Sequence, residues 1–138
     1  MKKTLMQKYA RLIARKGLGI RKGQEVIITA GLDQPDFVRM CVEECYRAGA
    51  AKVTVEWSYQ PITKVNYRYR TVTNLSHIEK WELERMEHRV EALPALLYIE
   101  SEDPDGLKGI NQEKVSKSQQ ARYKLLKPYR DRMENKYQ

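Results

Sequence analysis

Residues 25–57 read EVIITAGLDQPDFVRMCVEECYRAGAAKVTVEW, and their pattern indicates the fold class. Its two ends, residues 25–30 and 52–57, are short runs rich in β-branched side chains, which is typical of strands. Between them, apolar side chains recur at helical spacing, at Phe37, Val38, Cys41, Val42 and Cys45. Gly49 follows that stripe where a helix is expected to end. The stretch therefore predicts a strand, a helix over residues 34–48 and a second, parallel strand.

The same alternation extends toward both ends of the chain. On the N-terminal side, one helical face is predicted at Leu5, Tyr9, Leu12 and Ile13. We expect Gly17 to end that helix as a left-handed residue. On the C-terminal side, a third strand is predicted at residues 96–99, followed by a turn over Ser101–Asp105.

Three further helices are predicted around that third strand. Pro61 suits the first turn of a short helix over residues 61–70. The spacing of Ser76 and Glu79 matches a capping box, so we expect the next helix to begin near Ser76. Asn111 is expected to cap the last helix, which Pro128 should bend or end.

The strands are near-continuously apolar and their connections are short. Strand 25–30 is therefore expected to be buried on both faces. This pattern predicts an α/β fold, a three-layer domain with a mainly parallel sheet and helices on both faces. The alternation calls for another strand after residue 138, so we expect the chain to be cut short.

Composition excludes several classes of protein. With 138 residues, 41% hydrophobic and 32% charged, the chain is neither disordered nor fibrous, and it has the length of one domain. No run approaches the roughly 20 apolar residues that span a bilayer. Its start lacks the apolar block of a secretory signal, so a cytoplasmic protein is expected. Cys41 and Cys45, four residues apart in an apolar stripe, make no disulfide framework and are expected to be reduced core residues.

The net charge of +8 raises nucleic acid as a partner. Residues 1–31 carry +7, residues 32–113 carry −5 and residues 114–138 carry +6, so the excess lies at the two ends. Residues 67–70, Tyr-Arg-Tyr-Arg, alternate aromatic and cationic groups as a single-strand binder does. No nucleic-acid fold motif accompanies them. A stand-alone basic nucleic-acid-binding module is therefore kept as the alternative function, and the basic helices could equally face an acidic partner domain.

Candidate catalytic and metal-binding residues do not converge. His77 and His88 are eleven positions apart on one predicted helix, roughly 16 Å along its axis. The carboxylates around His88 are interleaved with cations, which is typical of a solvated, ion-paired face; they are Glu84, Glu87 and Glu91. A small enzyme built on Glu84 and His88 remains a weaker hypothesis. The serines lack a nucleophile-elbow context.

Phosphate binding is not predicted either. Residues 17–19, Gly-Leu-Gly, precede the first strand, whereas a dinucleotide loop follows a strand and opens a helix. After the first strand, Asp33 would repel a phosphate. We assign no catalytic, cofactor-binding or metal-ligating residue within residues 1–138.

Taken in order, the chain resembles the thermophilic-type metalloaminopeptidases, peptidase family M29. The resemblance begins at residues 9–13 (YARLI), 17–20 (GLGI) and 22–26 (KGQEV), and continues at 37–39 (FVR), 46–50 (YRAGA) and 53–55 (VTV). It extends through residues 101–104 (SEDP), 107–109 (LKG), Lys114, 120–122 (QAR) and 127–128 (KP).

This resemblance implies the function. Members of the family are two-domain cytosolic hydrolases, roughly three times this length, that remove N-terminal residues from peptides. They use two divalent metal ions, such as zinc, cobalt, manganese or magnesium, to activate a bridging water. Their metal ligands lie in the C-terminal domain, so the resemblance implies that residues 1–138 are the N-terminal α/β domain of such an enzyme. We expect the fragment to be inactive alone, to adjoin its own catalytic domain and to form a homodimer when full length, without a membrane partner.

Overall fold

The computed structural model describes residues 2–99 and 102–137. Its elements, in chain order, are α1 (Lys3–Leu12), a π-helical segment (Ile13–Gly17), β1 (Glu25–Gly31), α2 (Pro35–Arg47), β2 (Lys52–Ser58), α3 (Gln60–Tyr69), α4 (Val72–Ser76), α5 (Lys80–Ala92), β3 (Ala95–Ile99) and α6 (Gln112–Tyr137). Among the described residues, no helix combines the length and the apolar character needed to cross a membrane.

The sheet has three strands in the order β2-β1-β3, and both outer strands run parallel to β1. Val26 pairs with Val53, and Ile28 pairs with both Val55 and Leu97. The predicted α/β class and the parallel sheet are confirmed. The three predicted strands are present, and each differs from its predicted bounds by one residue at most.

The chain divides into two compact units. The first comprises Met1–Tyr59 and Pro94–Glu102, and it contains the sheet with α1 and α2. The second comprises Gln60–Leu93 and Asp103–Gln138, and in it α4 and α5 contact α6. The segment that connects β2 to β3, residues 60–93, therefore belongs to the helical second unit.

The core of the first unit lies against one face of the sheet. Val26, Ile28 and Ala30 of β1 are buried in one cluster with Val38 and Cys41 of α2. Alternate strand residues point to opposite faces, and the intervening β1 residues are only half-buried. Strand β1 is therefore fully buried on one face and partly buried on the other, so the expected burial on both faces is only partly met.

The N-terminal helix exposes three of the four residues of its predicted apolar face. Leu5, Tyr9 and Leu12 are each about half exposed, whereas Ala10 and Ala14 are fully buried. The small alanines let the backbone of α1 approach α2 closely, and contact with α2 decides which face is covered. The spacing of large apolar residues alone therefore does not identify the covered face of α1.

The end of this first helix also differs from the prediction. The amide of Leu18 donates to the carbonyl of Ile13 at 2.8 Å, so the last turn is π-helical. Gly17 lies within that turn, and the left-handed residue is Gly19, with φ of 57°. At the end of α2, Gly49 has φ of 110°, as the predicted stop requires.

The capping box begins three residues later than predicted, at Glu79, because the short helix α4 ends at Ser76. Ser76 ends α4 instead of beginning a helix, and Thr71 caps α4 by accepting from the amide of Asn74. The capping box of α5 is formed by Glu79 and Glu82, whose side chains satisfy each other's backbone amides. Glu79 replaces the usual serine or threonine in this motif, because a carboxylate also accepts these hydrogen bonds.

The last helix begins as predicted but does not end at its proline. Asn111 accepts from the amide of Lys114 at 3.2 Å, which confirms the predicted cap. Helix α6 continues through Pro128 to Tyr137. Arg122 before the proline and Arg132 after it each form an ion pair with α5. These contacts hold both halves of α6 against α5.

The turn after β3 is described from residue 102 onward. Asp103 accepts from the amide of Asp105 at 2.9 Å, which fits the predicted turn chemistry. Ser101, the first residue of that predicted turn, lies outside the described residues.

Candidate functional site

The two histidines lie on different elements. His77 is the residue after α4, and its Nε2 atom is 3.7 Å from a carboxylate oxygen of Glu79. His88 is exposed on α5. The prediction that both belong to one helix was therefore wrong. Within residues 2–99 and 102–137, no group of three or more His, Cys, Asp or Glu side chains is arranged to hold a metal ion.

The cysteines lie in the core, where the sequence predicted them. Both are free thiols on α2, with Cys41 1% and Cys45 0% exposed. Burial, with Cys45 nearby, raises the pKa of Cys41 to about 12, and burial, with Glu44 nearby, raises that of Cys45 to about 11. A thiol is nucleophilic and binds metal as the thiolate. At neutral pH these side chains therefore act as small apolar core residues.

The carboxylates of α5 form the predicted ion-paired face. Glu84 lies 3.9 Å from Lys80, one turn earlier. Glu87 accepts two hydrogen bonds of 2.8 Å from Arg132, and these hold the pKa of Glu87 below its ordinary value. A general acid needs a raised pKa. The pairing of Glu87 acts in the opposite direction and fits a structural role.

A polar cavity of about 330 Å³ lies in the second unit. Its lining includes Arg70, Glu79, Trp81, Glu82 and Arg122. Arg122 donates to Glu82 at 2.6 Å and to the His77 carbonyl at 3.0 Å. These contacts join α6 to α5 and to the end of α4.

The charged groups of this cavity are engaged within the protein. Burial would raise the pKa of Glu82, but the hydrogen bonds from Arg122 and the Glu79 capping turn outweigh it, and the pKa is lowered. Arg70 donates to the side chain and the carbonyl of Asn74. The pair between Glu82 and Arg122 has no local signature in the sequence, because its members are 40 residues apart and meet only in the folded chain.

The Tyr-Arg-Tyr-Arg segment does not form a continuous aromatic platform. The hydroxyl of Tyr67 accepts from Gln119, and the carbonyl of Arg68 accepts from Lys114. Tyr69 is 77% exposed. The structure therefore uses part of this segment to attach α3 to α6.

Much of the basic charge on α6 is neutralised inside the protein. Its ion pairs join Lys117 to Glu113, Arg122 to Glu82, Lys127 to Asp131 and Arg132 to Glu87, all at 2.6 to 2.8 Å. Arg130 lies over the ring of Tyr123, 3.7 Å from its centroid. Counterion release from nucleic acid requires cations that are free to meet phosphates. Helix α6 therefore gives the nucleic-acid alternative little support.

The chain is similar in sequence to known peptidases. The sequence profile of the family described as Thermophilic metalloprotease (M29) matches residues 2–138. Aminopeptidase AmpS of Bacillus subtilis (strain 168) is 34% identical over 122 residues, which are 88% of this chain and 30% of that protein. Aminopeptidase T of Thermus thermophilus is 35% identical over 126 residues, 91% of this chain and 31% of that protein.

A solved structure extends this likeness to the fold. Wild-type AmpT from Thermus thermophilus matches with a TM-score of 0.82 and 34% identity, over 95% of this chain and 33% of that one. The chain thus spans about a third of the length of the relatives that it matches. None of these relatives supports nucleic-acid binding. The chain belongs to the thermophilic metalloprotease family M29.

Proposed function

We propose that residues 1–138 form the non-catalytic N-terminal domain of a longer M29 aminopeptidase. The proposal rests on one observation: the family match runs along almost the whole chain, yet it covers only about a third of each relative. The remaining two thirds of such a polypeptide offer room for a separate catalytic domain. The complete protein would hydrolyse N-terminal residues from peptides.

The residues described here do not fit a dinuclear metal centre. Such a centre needs several carboxylates and imidazoles converging on two ions. His77 and His88 lie on separate elements, and the two thiols are buried and protonated. We therefore assign no metal ligand and no catalytic residue to this part of the chain. The divalent ions of the complete enzyme, whether zinc, cobalt, manganese or magnesium, would be held by residues outside it.

The domain would contribute structure to the complete enzyme. Its parallel sheet and helical unit supply surfaces that can form a wall of the substrate cleft or part of a homodimer interface. A cytoplasmic location of the complete protein is part of the same proposal.

An activity assay tests this function. The 138-residue chain is assayed on aminoacyl chromogenic substrates with added cobalt, zinc or manganese, and Thermus thermophilus aminopeptidase T serves as the positive control. We expect no turnover by the fragment under conditions in which the control is active. Metal-dependent hydrolysis that co-purifies with the fragment would contradict the proposal.

A second test reads the coding sequence beyond codon 138. We expect an uninterrupted frame that encodes a domain rich in Glu, His and Asp. A natural stop codon directly after Gln138 would contradict the domain assignment.

A further inference from the structure

Helix α1 carries two apolar faces, and only one of them is covered within the described residues. Ala10, together with Ala14 of the following π-helical turn, is buried against α2 as part of the core of the first unit. Leu5, Tyr9 and Leu12 are 46%, 48% and 52% exposed. These three residues, here called the α1 seam, follow one another by four and then three positions. That spacing places them in one line along the helix and is the spacing of helix-to-helix packing.

Cations lie along the α1 seam and are free. Lys8 lies one position before Tyr9, beside the line of apolar residues, and Arg15, in the π-helical turn three positions after Leu12, lies beyond its end. Neither these two side chains nor Lys3 and Lys16 form an ion pair or a side-chain hydrogen bond within the described part of the protein. This differs from α6, where most cations form an ion pair or a hydrogen bond within the protein.

Three kinds of occupant fit this surface poorly. A second copy packed seam to seam would bring the same cations together without carboxylates, since Glu25 is the only acidic residue among residues 1–31. A lipid surface requires a broad apolar face, but Ala10 and Ala14 are already buried in the core. Nucleic acid would neutralise the lysines and arginines but leave the α1 seam uncovered.

We propose that the α1 seam is a docking surface for an acidic amphipathic helix of another protein. Apolar side chains of the partner pack on Leu5, Tyr9 and Leu12, while its flanking carboxylates meet Lys8 and Arg15. This pairing covers the apolar stripe and neutralises the free cations at the same time, in the way that flanking charges select partners in helix pairs. It does not depend on the proposed aminopeptidase function.

The test uses the whole 138-residue chain, labelled with nitrogen-15, and a designed helical peptide of about three heptads with Leu at the core positions and Glu at the flanking positions. A second peptide replaces every Glu with Gln. We expect amide shift changes concentrated in residues 3–16 with the Glu peptide, and binding at least about tenfold weaker with the Gln peptide.

Two substitutions and two controls identify the surface. Leu12→Ser and the charge reversal Lys8→Glu should each weaken binding of the Glu peptide by about tenfold or more, because one removes seam contact and the other reverses a flanking charge. Leu125→Ser and Lys124→Glu on α6 are the matched controls, since Leu125 is 55% exposed. These controls should leave binding unchanged, and thermal unfolding followed by circular dichroism verifies that every variant is folded.

Several results would overturn this inference. One is peptide binding that is equal for the Glu and Gln peptides, or that Leu12→Ser leaves unchanged. Another is an absence of peptide binding. The inference is also overturned if the α1 amide shifts change with single-stranded oligonucleotides, with vesicles of anionic phospholipid or with increasing concentration of the chain itself, and not with the Glu peptide. Failure here would leave the activity assay above unaffected, so the two proposals are tested separately.

Discussion

The carboxylate of Glu44 on α2 lies 3.8 Å from the guanidinium nitrogen Nε of Arg11 on α1. The side chain of Glu44 is only 2% exposed, although its neighbour Glu43 is about half exposed. Arg47, one turn further along α2, donates to the other carboxylate oxygen at 3.0 Å. A buried carboxylate is thus neutralised by two cations whose own side chains remain largely in solvent.

This arrangement predicts opposite effects of removing the cation and removing the carboxylate. Arg47→Ala leaves a buried carboxylate with a weaker partner, and we expect the free energy of unfolding to fall by about 2 kcal/mol. Glu44→Met removes the buried charge and leaves both arginines in water. We expect it to change stability by less than about 1 kcal/mol or to raise it.

Urea unfolding of the single and double variants measures both effects. The double variant Glu44→Met with Arg47→Ala should recover most of the loss caused by Arg47→Ala. Arg39→Ala is the control, because its partner Glu43 is exposed and 4.0 Å away. The explanation fails if Glu44→Met alone destabilises as much as Arg47→Ala.

The pair between Glu82 and Arg122 predicts a pH dependence of stability. The pKa of Glu82 is lowered in the folded state. Its contribution is therefore complete above the ordinary Glu pKa of about 4.3 and is lost as the pH falls through the lower folded value. We expect urea midpoints to fall between pH 6 and pH 3, and to fall less in Glu82→Gln. An unchanged slope in Glu82→Gln would show that this pair does not contribute.

The buried thiols predict slow chemical labelling. With pKa values of about 12 and about 11, Cys41 and Cys45 are almost entirely protonated at pH 8. Their reaction with a disulfide reagent should be at least about 100-fold slower in the native chain than in urea. Rapid native labelling of both thiols would mean that the buried face of α2 is wrongly assigned.

The Asn111 cap predicts a small, specific loss. Asn111→Ala removes the acceptor for the Lys114 amide at the start of α6. We expect about 1 kcal/mol of destabilisation in urea unfolding, and Asn111→Asp should retain the stability of the parent because its carboxylate also caps. Equal losses for Ala and Asp would contradict a capping role.

Local patterns predicted much of the fold. The β-branched runs, the apolar stripe of α2 and the turn at Gly49 depend on neighbouring residues, and the structure has them where the sequence placed them. The errors arose where distant contacts decide. The covered face of α1 depends on Ala10 meeting α2, and the continuation of α6 past Pro128 depends on contacts with α5.

The charged pairs show the same limit. Glu44 is buried on α2, and its position three residues after Cys41 is compatible with the apolar stripe of that helix. The charge of Glu44 favours exposure to solvent, whereas its helical spacing indicates burial. Glu82 and Arg122 are far apart in sequence, and no local pattern indicates that they meet.

Equilibrium dialysis against cobalt or zinc examines whether the metal centre of an M29 aminopeptidase lies outside residues 1–138. The chain is dialysed at neutral pH, and bound metal is measured by mass spectrometry. We expect no metal above that in a protein-free control, whereas Thermus thermophilus aminopeptidase T should retain it. Stoichiometric metal that is lost in His77→Ala or His88→Ala would instead place metal ligands within residues 1–138.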